Sequence, residues 1–158
     1  MNKLNKPKIQ KINIKNVSFG KNVKIINPVN LYDCKIGDGV FVGPFVEIQS
    51  DVNIKKNTKI QSHTFICSKV SIGNNCFIGH GVVFINDDFK IGKNANGKKI
   101  LWKKTKISDE VYIGSNSSIL PVNICSNVVI GAGSVVTKSI NRPGIYAGNP
   151  AKFIRKIK

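Results

Sequence analysis

From Ile36 onward a large aliphatic or aromatic residue recurs at every sixth position: Ile36, Val42, Ile48, Ile54, Ile60, Ile66, Ile72, Ile78 and Phe84. Four residues after all but the last comes a small or β-branched one: Val40, Val46, Val52, Thr58, Thr64, Val70, Cys76 and Val82. Neither the 3.6-residue period of a helix nor the alternation of an ordinary strand produces this spacing. A period of six describes a short strand and a tight turn, repeated. Three such units close a triangular coil of about 18 residues, and stacked coils hydrogen-bond as parallel strands. The first-position residues fill the interior, and Gly37, Gly43, Gly73 and Gly79 at the second position are expected to ease the corners.

The pattern resumes at Ile107, Ile113, Ile119, Ile124, Ile130 and Val136, with one short step before Ile124. Upstream, Phe19, Ile25 and Leu31 belong to the same ladder, with a five-residue step into Ile36. The chain therefore reads as one all-β domain over residues 1–158, a three-sided parallel β-solenoid built from six-residue repeats. One excursion loop, 88–106, leaves the solenoid. Loops that interrupt a rigid scaffold tend to carry function. Beyond Val136, Pro143 and Pro150 are expected to stop the solenoid, with residues 138–158 as a cap ending in a short helix from about Pro150.

With 25 Lys and Arg against 8 Asp and Glu, the net charge is +17. Such an excess suits an anionic partner, but the basic–aromatic interleaving of single-strand binders is absent, and no nucleic-acid partner is expected. Anionic small molecules account for the charge better. No apolar run is long enough to cross a bilayer, and the basic N-terminus has no hydrophobic stretch behind it, so neither a membrane association nor a secretory signal is expected and the cytoplasm is the expected compartment. Cys34, Cys67, Cys76 and Cys125 show neither CxxC spacing nor clustering with His, and are read as reduced structural thiols.

The repeat resembles that of the hexapeptide-repeat acyltransferases over nearly the whole chain, which implies that the coil is a left-handed parallel β-helix of hexapeptide repeats. The segments VYIGSNSSILP, VVIGAGSVVTKSI and YAGNPAKFIRKI are similar to that family's acetyl-CoA half. IQSHTFI and FIGHGVVFINDDF are similar to a subgroup that N-acetylates nucleotide-linked amino sugars, such as dTDP-3-amino-3,6-dideoxyhexoses, for surface polysaccharides. The resemblance implies acetyl-CoA as co-substrate, no metal, a homotrimer and active sites between subunits. It also implies a substrate role for Gln61, Asn86 and Asp87. Here Asp88-Phe89 stand where subgroup members often carry an additional basic and aromatic stretch.

Residues 63 and 81 are one coil apart, so His80 lies beside the residue directly above His63. The two histidines are thereby brought to one corner as candidate catalytic groups. Asn86 and Asp87 are placed to grip an amino group before the excursion loop. For the anionic cofactor the candidates are Lys138, Lys152 and Arg155, since no acidic residue follows Glu110. Backbone N–H groups around Gly114, Ala132, Gly133 and Ser134 are candidates for the pantetheine arm. The loop lysines at 90, 93, 98, 99, 103, 104 and 106, with Trp102, are placed to meet either a nucleotide diphosphate or CoA.

In the implied reaction a neutral amine attacks the thioester carbonyl, a backbone N–H stabilises the oxyanion, and a proton passes to a base such as His63 or to the departing thiolate. O-acetylation of a sugar or serine hydroxyl is the alternative within the enzyme class, and a non-catalytic β-helix scaffold the alternative outside it. A β-helix carbonic anhydrase needs three histidine ligands for zinc, and the chain has two histidines.

Overall fold

The computed structural model describes residues 13–89 and 92–157. The basic N-terminal stretch and Lys90 lie outside that range. The chain winds into a three-sided parallel β-solenoid whose faces hold seven, six and eight strands. We call the faces A, B and C, in the order in which each coil visits them. Face A begins with Ile14–Lys15, face B with Ser18–Phe19 and face C with Lys24–Ile25. Coil length is set by the corners. Phe65 pairs with Glu47, 18 residues earlier, whereas Leu31 pairs with Ile14, 17 earlier, where the five-residue steps fall.

The interior is the ladder read from the sequence. Ile48, Ile54, Ile60, Ile66, Ile78 and Phe84 are each fully buried and stack in register from coil to coil. Burying such a side chain stabilises the fold by about 1.5–3 kcal/mol. Two of the polar residues inside are satisfied by carbonyls of the adjacent coil, Thr58 Oγ1 donating to Gly73 O at 2.8 Å and Thr64 Oγ1 to Gly79 O at 3.0 Å. The buried Thr105 Oγ1, by contrast, has no hydrogen-bond partner among the described residues. Cys34, Cys67 and Cys76 are buried free thiols and Cys125 is half-buried. Burial pushes the Cys34 thiol up to about 11 and that of Cys67 up to about 12.

Three expectations need correction. The second-position glycines serve proximity rather than an unusual φ: a Cβ on Gly79 would stand 2.7 Å from the carbonyl of Ile113 on the next coil. The left-handed backbone instead falls two residues later in each corner, at Phe45, His63 and Gly81 for example. Pro143 does not end the solenoid, because Gly144–Ala147 adds a further parallel strand against Val128–Ile130. The expected C-terminal helix is a strand: Lys152–Arg155 folds back antiparallel onto Gly144–Ala147. Tyr146 and Phe153 meet edge to face at 5.5 Å, and Arg142 lies 4.7 Å over the Phe153 ring, which holds the hairpin closed.

The excursion leaves after Val83–Phe84 on face A and returns at Thr105–Ile107 on face B, so it occupies the A–B corner. It contains one short 3-10 turn, Lys99–Leu101.

Candidate active site

Three corners run the length of the solenoid, and the candidate residues divide among them. The C–A corner, between Ile60 and Phe65, carries Gln61 and His63; one coil on, between Ile78 and Val83, it carries His80. Gly114 lies on the next coil of the same corner, with Ala132, Gly133 and Ser134 on the one after. The structure thus aligns the two histidines with the acetyl-CoA candidates along one edge.

Both histidines are exposed. The His63 imidazole stacks on the Phe45 ring one coil below, with centroids 4.8 Å apart and planes at 15°. His80 Nδ1 lies 3.5 Å from Ser115 Oγ, on the coil that carries Gly114. His63 is therefore held by ring contact, while His80 has a polar neighbour on the next coil. Phe45 is 57% exposed and adopts φ 60°, a rare conformation for a bulky residue. It escaped the sequence reading, although the arithmetic that stacks 81 on 63 also stacks 63 on 45.

The cofactor candidates are less available than the sequence suggested. The Gly114 N–H donates to Ile130 O at 2.8 Å, and the Gly133 N–H to Ser115 O at 2.8 Å. Ser134 is fully buried; its Oγ donates to Gly131 O at 2.7 Å and accepts from the Gly148 N–H at 3.1 Å. Ala132 and Gly133 are exposed on the turn. Lys152 and Arg155 are exposed on the terminal strand.

Asn86, Asp87 and Lys138 lie on the A–B corner, away from the histidines. There the first two form the foot of the excursion. Asn86 Nδ2 donates to Ser68 O at 3.1 Å, and Asn86 O accepts from the Lys103 N–H at 2.8 Å, closing the neck. Asp87 Oδ1 accepts from the Phe89 N–H at 3.1 Å and Oδ2 from the Ala95 N–H at 2.6 Å. Lys69 Nζ donates to the carbonyls of Lys99 and Trp102, the latter at 3.1 Å, and pins the loop against the corner. Within one chain, then, the amide–carboxylate pair shapes a loop and does not reach the histidines.

Two open hollows lie elsewhere again. Cavities of about 280 Å³, lined by Lys55, Ser71, Lys106 and Asp109 among others, and about 490 Å³, lined by Asp51, Lys69, Lys104 and Asn123 among others, both open on face B. Neither touches a histidine. The C–A corner is an open edge, with both histidines exposed. Among the described residues no group of three His, Cys, Asp or Glu side chains is placed to hold a metal ion, and no helix is long and apolar enough to cross a membrane.

The bacterial transferase hexapeptide pattern (six repeats) matches residues 33–68 and 51–86, and the hexapeptide repeat of succinyl-transferase matches 104–138. The chain belongs to the hexapeptide-repeat transferases. This hexapeptide-repeat chain is 37% identical over 142 residues to the bifunctional protein GlmU of Wigglesworthia glossinidia brevipalpis, covering 82% of this chain and 30% of that protein. The chain spans about a third of the length of the curated relatives it matches. Among solved structures, a variant of AntD, an N-acyltransferase from Bacillus cereus in complex with dTDP and coenzyme A, superposes with TM-score 0.75 at 25% identity, over 89% of this chain and 84% of that one. The polysialic acid O-acetyltransferase OatWY superposes with TM-score 0.56 at 27% identity, over 92% of this chain and 84% of that one.

Proposed function

We propose that this hexapeptide-repeat transferase moves an acetyl group from acetyl-CoA to the amino group of a nucleotide-linked amino sugar. The observation that carries the reading is the alignment of His63, His80, Gly114 and Ala132 on one solvent-open corner of a scaffold whose solved counterpart holds coenzyme A and dTDP. On this reading the thioester lies along the C-terminal coils of the corner, and the amine enters from the coils below. His80, between the two halves, takes the proton from the attacking nitrogen. Lys152 and Arg155, on a strand free of acidic neighbours, attract the cofactor phosphates.

Completion of the site calls for a neighbour, and we place it in a homotrimer. The two faces beside the histidine corner show apolar groups outward: Phe65 and Val83 on face A, Phe77 and Tyr112 on face C. Face B shows Lys35, Asn53, Ser71 and Lys106 in the same outward positions. Closure of face C against a neighbour's face A about a threefold axis buries the apolar pair and leaves the polar face wet. A monomer by light scattering at micromolar concentration would count against this arrangement.

The experiment that tests the activity is a panel of acceptors incubated with acetyl-CoA and read by mass spectrometry. It includes dTDP-4-amino-4,6-dideoxyglucose, which AntD is solved with, dTDP-3-amino-3,6-dideoxyhexoses and UDP-linked amino sugars. A mass gain of one acetyl group on a nucleotide amino sugar is the expected result. A second reading, O-acetylation of a sugar hydroxyl, is favoured by the likeness to OatWY. Acetylation of hydroxyl acceptors alone would select it.

A further inference from the structure

The C–A corner has a hollow of its own, on the coils below the histidines. It measures about 310 Å³ and is lined by Pro28, Val29, Asn30, Phe45, Val46 and Glu47. These residues come from two adjacent coils, tied together where the Phe45 N–H donates to Pro28 O at 2.6 Å and the Asn30 N–H to Val46 O at 2.9 Å. Phe45 stands at the head of the hollow. His63, one coil up, covers its ring with centroids 4.8 Å apart, and no residue of the His63 coil lines the hollow. The column of two rings therefore ends at this space. At 57% exposure Phe45 adds little to the core, and its φ of 60° is one that a bulky residue rarely takes.

Two polar side chains border the hollow and are not used up by the fold. Asn30 and Glu47 are register partners on face A. One Glu47 oxygen accepts from Gln49 Nε2 at 3.0 Å, and the other has no hydrogen-bond partner among the described residues. Asn30 Oδ1 is buried with no hydrogen-bond partner, so this amide is not committed to the structure and is free to turn toward a ligand.

We propose that this hollow seats the base of the acceptor's nucleotide, a thymine or uracil laid against the side of the Phe45 ring that His63 leaves free. The inference rests on the reading above and deepens it by giving the nucleotide a place. With the amine at His80, the rest of the acceptor runs down the corner. Phe45 is two coils below and the hollow lies just beyond, about 10–14 Å away at about 4.8 Å per coil. Hexose, diphosphate and ribose separate the amine from the base by a distance of that order. A base stacks on an exposed aromatic ring, which a diphosphate has no face to do. The Glu47 carboxylate then chooses among pyrimidines. It can only accept, so it suits the ring N–H of thymine and uracil and opposes the ring lone pair that cytosine presents on the same edge. The Asn30 amide is placed to donate to a neighbouring base carbonyl.

Nucleotide binding to the intact protein, measured by isothermal titration calorimetry, tests the seat. dTDP and UDP should bind about tenfold or more tighter than inorganic pyrophosphate, the gain from one stacked base, and about tenfold tighter than CDP. Phe45→Asn keeps the left-handed turn that Asn57 and Asn75 make on the B–C corner. It should weaken dTDP by about tenfold or more and leave pyrophosphate and acetyl-CoA binding unchanged. Phe45→Tyr keeps a flat ring and should bind dTDP nearly as the wild-type protein does. Glu47→Gln, whose amide can also donate, should narrow the gap between dTDP and CDP. An unchanged dTDP affinity in Phe45→Asn would overturn the proposal, as would dTDP binding no tighter than pyrophosphate. A Phe45→Tyr protein as weak as Phe45→Asn would do the same. If the wild-type protein binds none of these nucleotides and acetylates no nucleotide amino sugar, the functional reading falls and takes this inference with it. If it acetylates one while Phe45→Asn binds dTDP unchanged, the seat alone is wrong.

Discussion

Two corners of this solenoid make the same turn from different residues. On the B–C corner the left-handed position is held by Asn22, Gly39, Asn57, Asn75, Glu110 and Asn127, at φ of 54–65°. On the C–A corner it is held by Phe45, His63, Gly81, Asn116 and Gly133, at φ of 58–67°. The backbone is the same, and for an ordinary side chain it costs roughly 1–2 kcal/mol unless glycine or asparagine relieves it. The B–C corner mostly takes that relief. The C–A corner places a phenylalanine and a histidine there, whose rings stack at 4.8 Å on the coils leading to Gly114 and Ala132. Bulky residues held in such backbone are where function is to be sought.

The largest difference between the corners should appear in turnover. His80→Ala is expected to lower kcat by roughly 10²- to 10⁴-fold, the range for loss of a general base. Asn75→Ala, on the other corner, should leave kcat intact, as steady-state assays of the two proteins would show. Equal losses would mean that the corners differ in composition and not in role. The third corner offers an intermediate effect. Asp87→Asn sets an amide where two backbone N–H groups now find a carboxylate, a cost of about 1–3 kcal/mol. Cleavage by trypsin within residues 92–104 should quicken while the solenoid stays intact.

Next in size is the cofactor. Replacing Lys152 and Arg155 together with Ala should raise the acetyl-CoA KM by about tenfold, or about 1.4 kcal/mol. The rise should be smaller with 3′-dephospho-acetyl-CoA, which lacks the phosphate those cations would meet. Smaller still, and of opposite sign, is Phe45→Asn, which converts a C–A position to the B–C kind. Relief of the turn outweighs loss of the ring contact with His63 only narrowly, so the protein should gain at most about 1 kcal/mol and at most about 4 °C in Tm. The thiols give the smallest effect near neutrality. Because burial raises the folded-state values of Cys34 and Cys67 to about 11 and about 12, the unfolded chain releases those protons first. Their contribution to stability is therefore intact below pH 9 and is lost as pH rises toward 11. Denaturation of Cys67→Ala should show a weaker decline over that window than the wild-type protein.

The hexad pattern made the solenoid legible, since one aliphatic residue per strand suffices to set face, register and interior. It also made the histidine corner legible, because stacking is a sum of step lengths. What the steps did not reveal were features decided across coils. Pro150-Ala151-Lys152 reads as a helix start by local preference, yet Phe153 and Arg142 draw that segment into a hairpin. Asp87 looks like a ligand in sequence and becomes a loop anchor only when Ala95 folds back onto it. Phe45 was lost among the other aromatics, although its place in the column is fixed by the same count that found His63.

A stack of parallel coils is in principle an open-ended polymer, since the last coil exposes the same hydrogen-bonding edge that the previous one offered to it. Face C does not end that way. Its final strand, Lys152–Arg155, runs in the opposite direction and carries its two cations on the outermost edge. A second molecule arriving with a parallel coil finds reversed polarity and like charge where it would have to bond. The same hairpin that presents Lys152 and Arg155 therefore also closes the edge of face C with a strand of opposite direction.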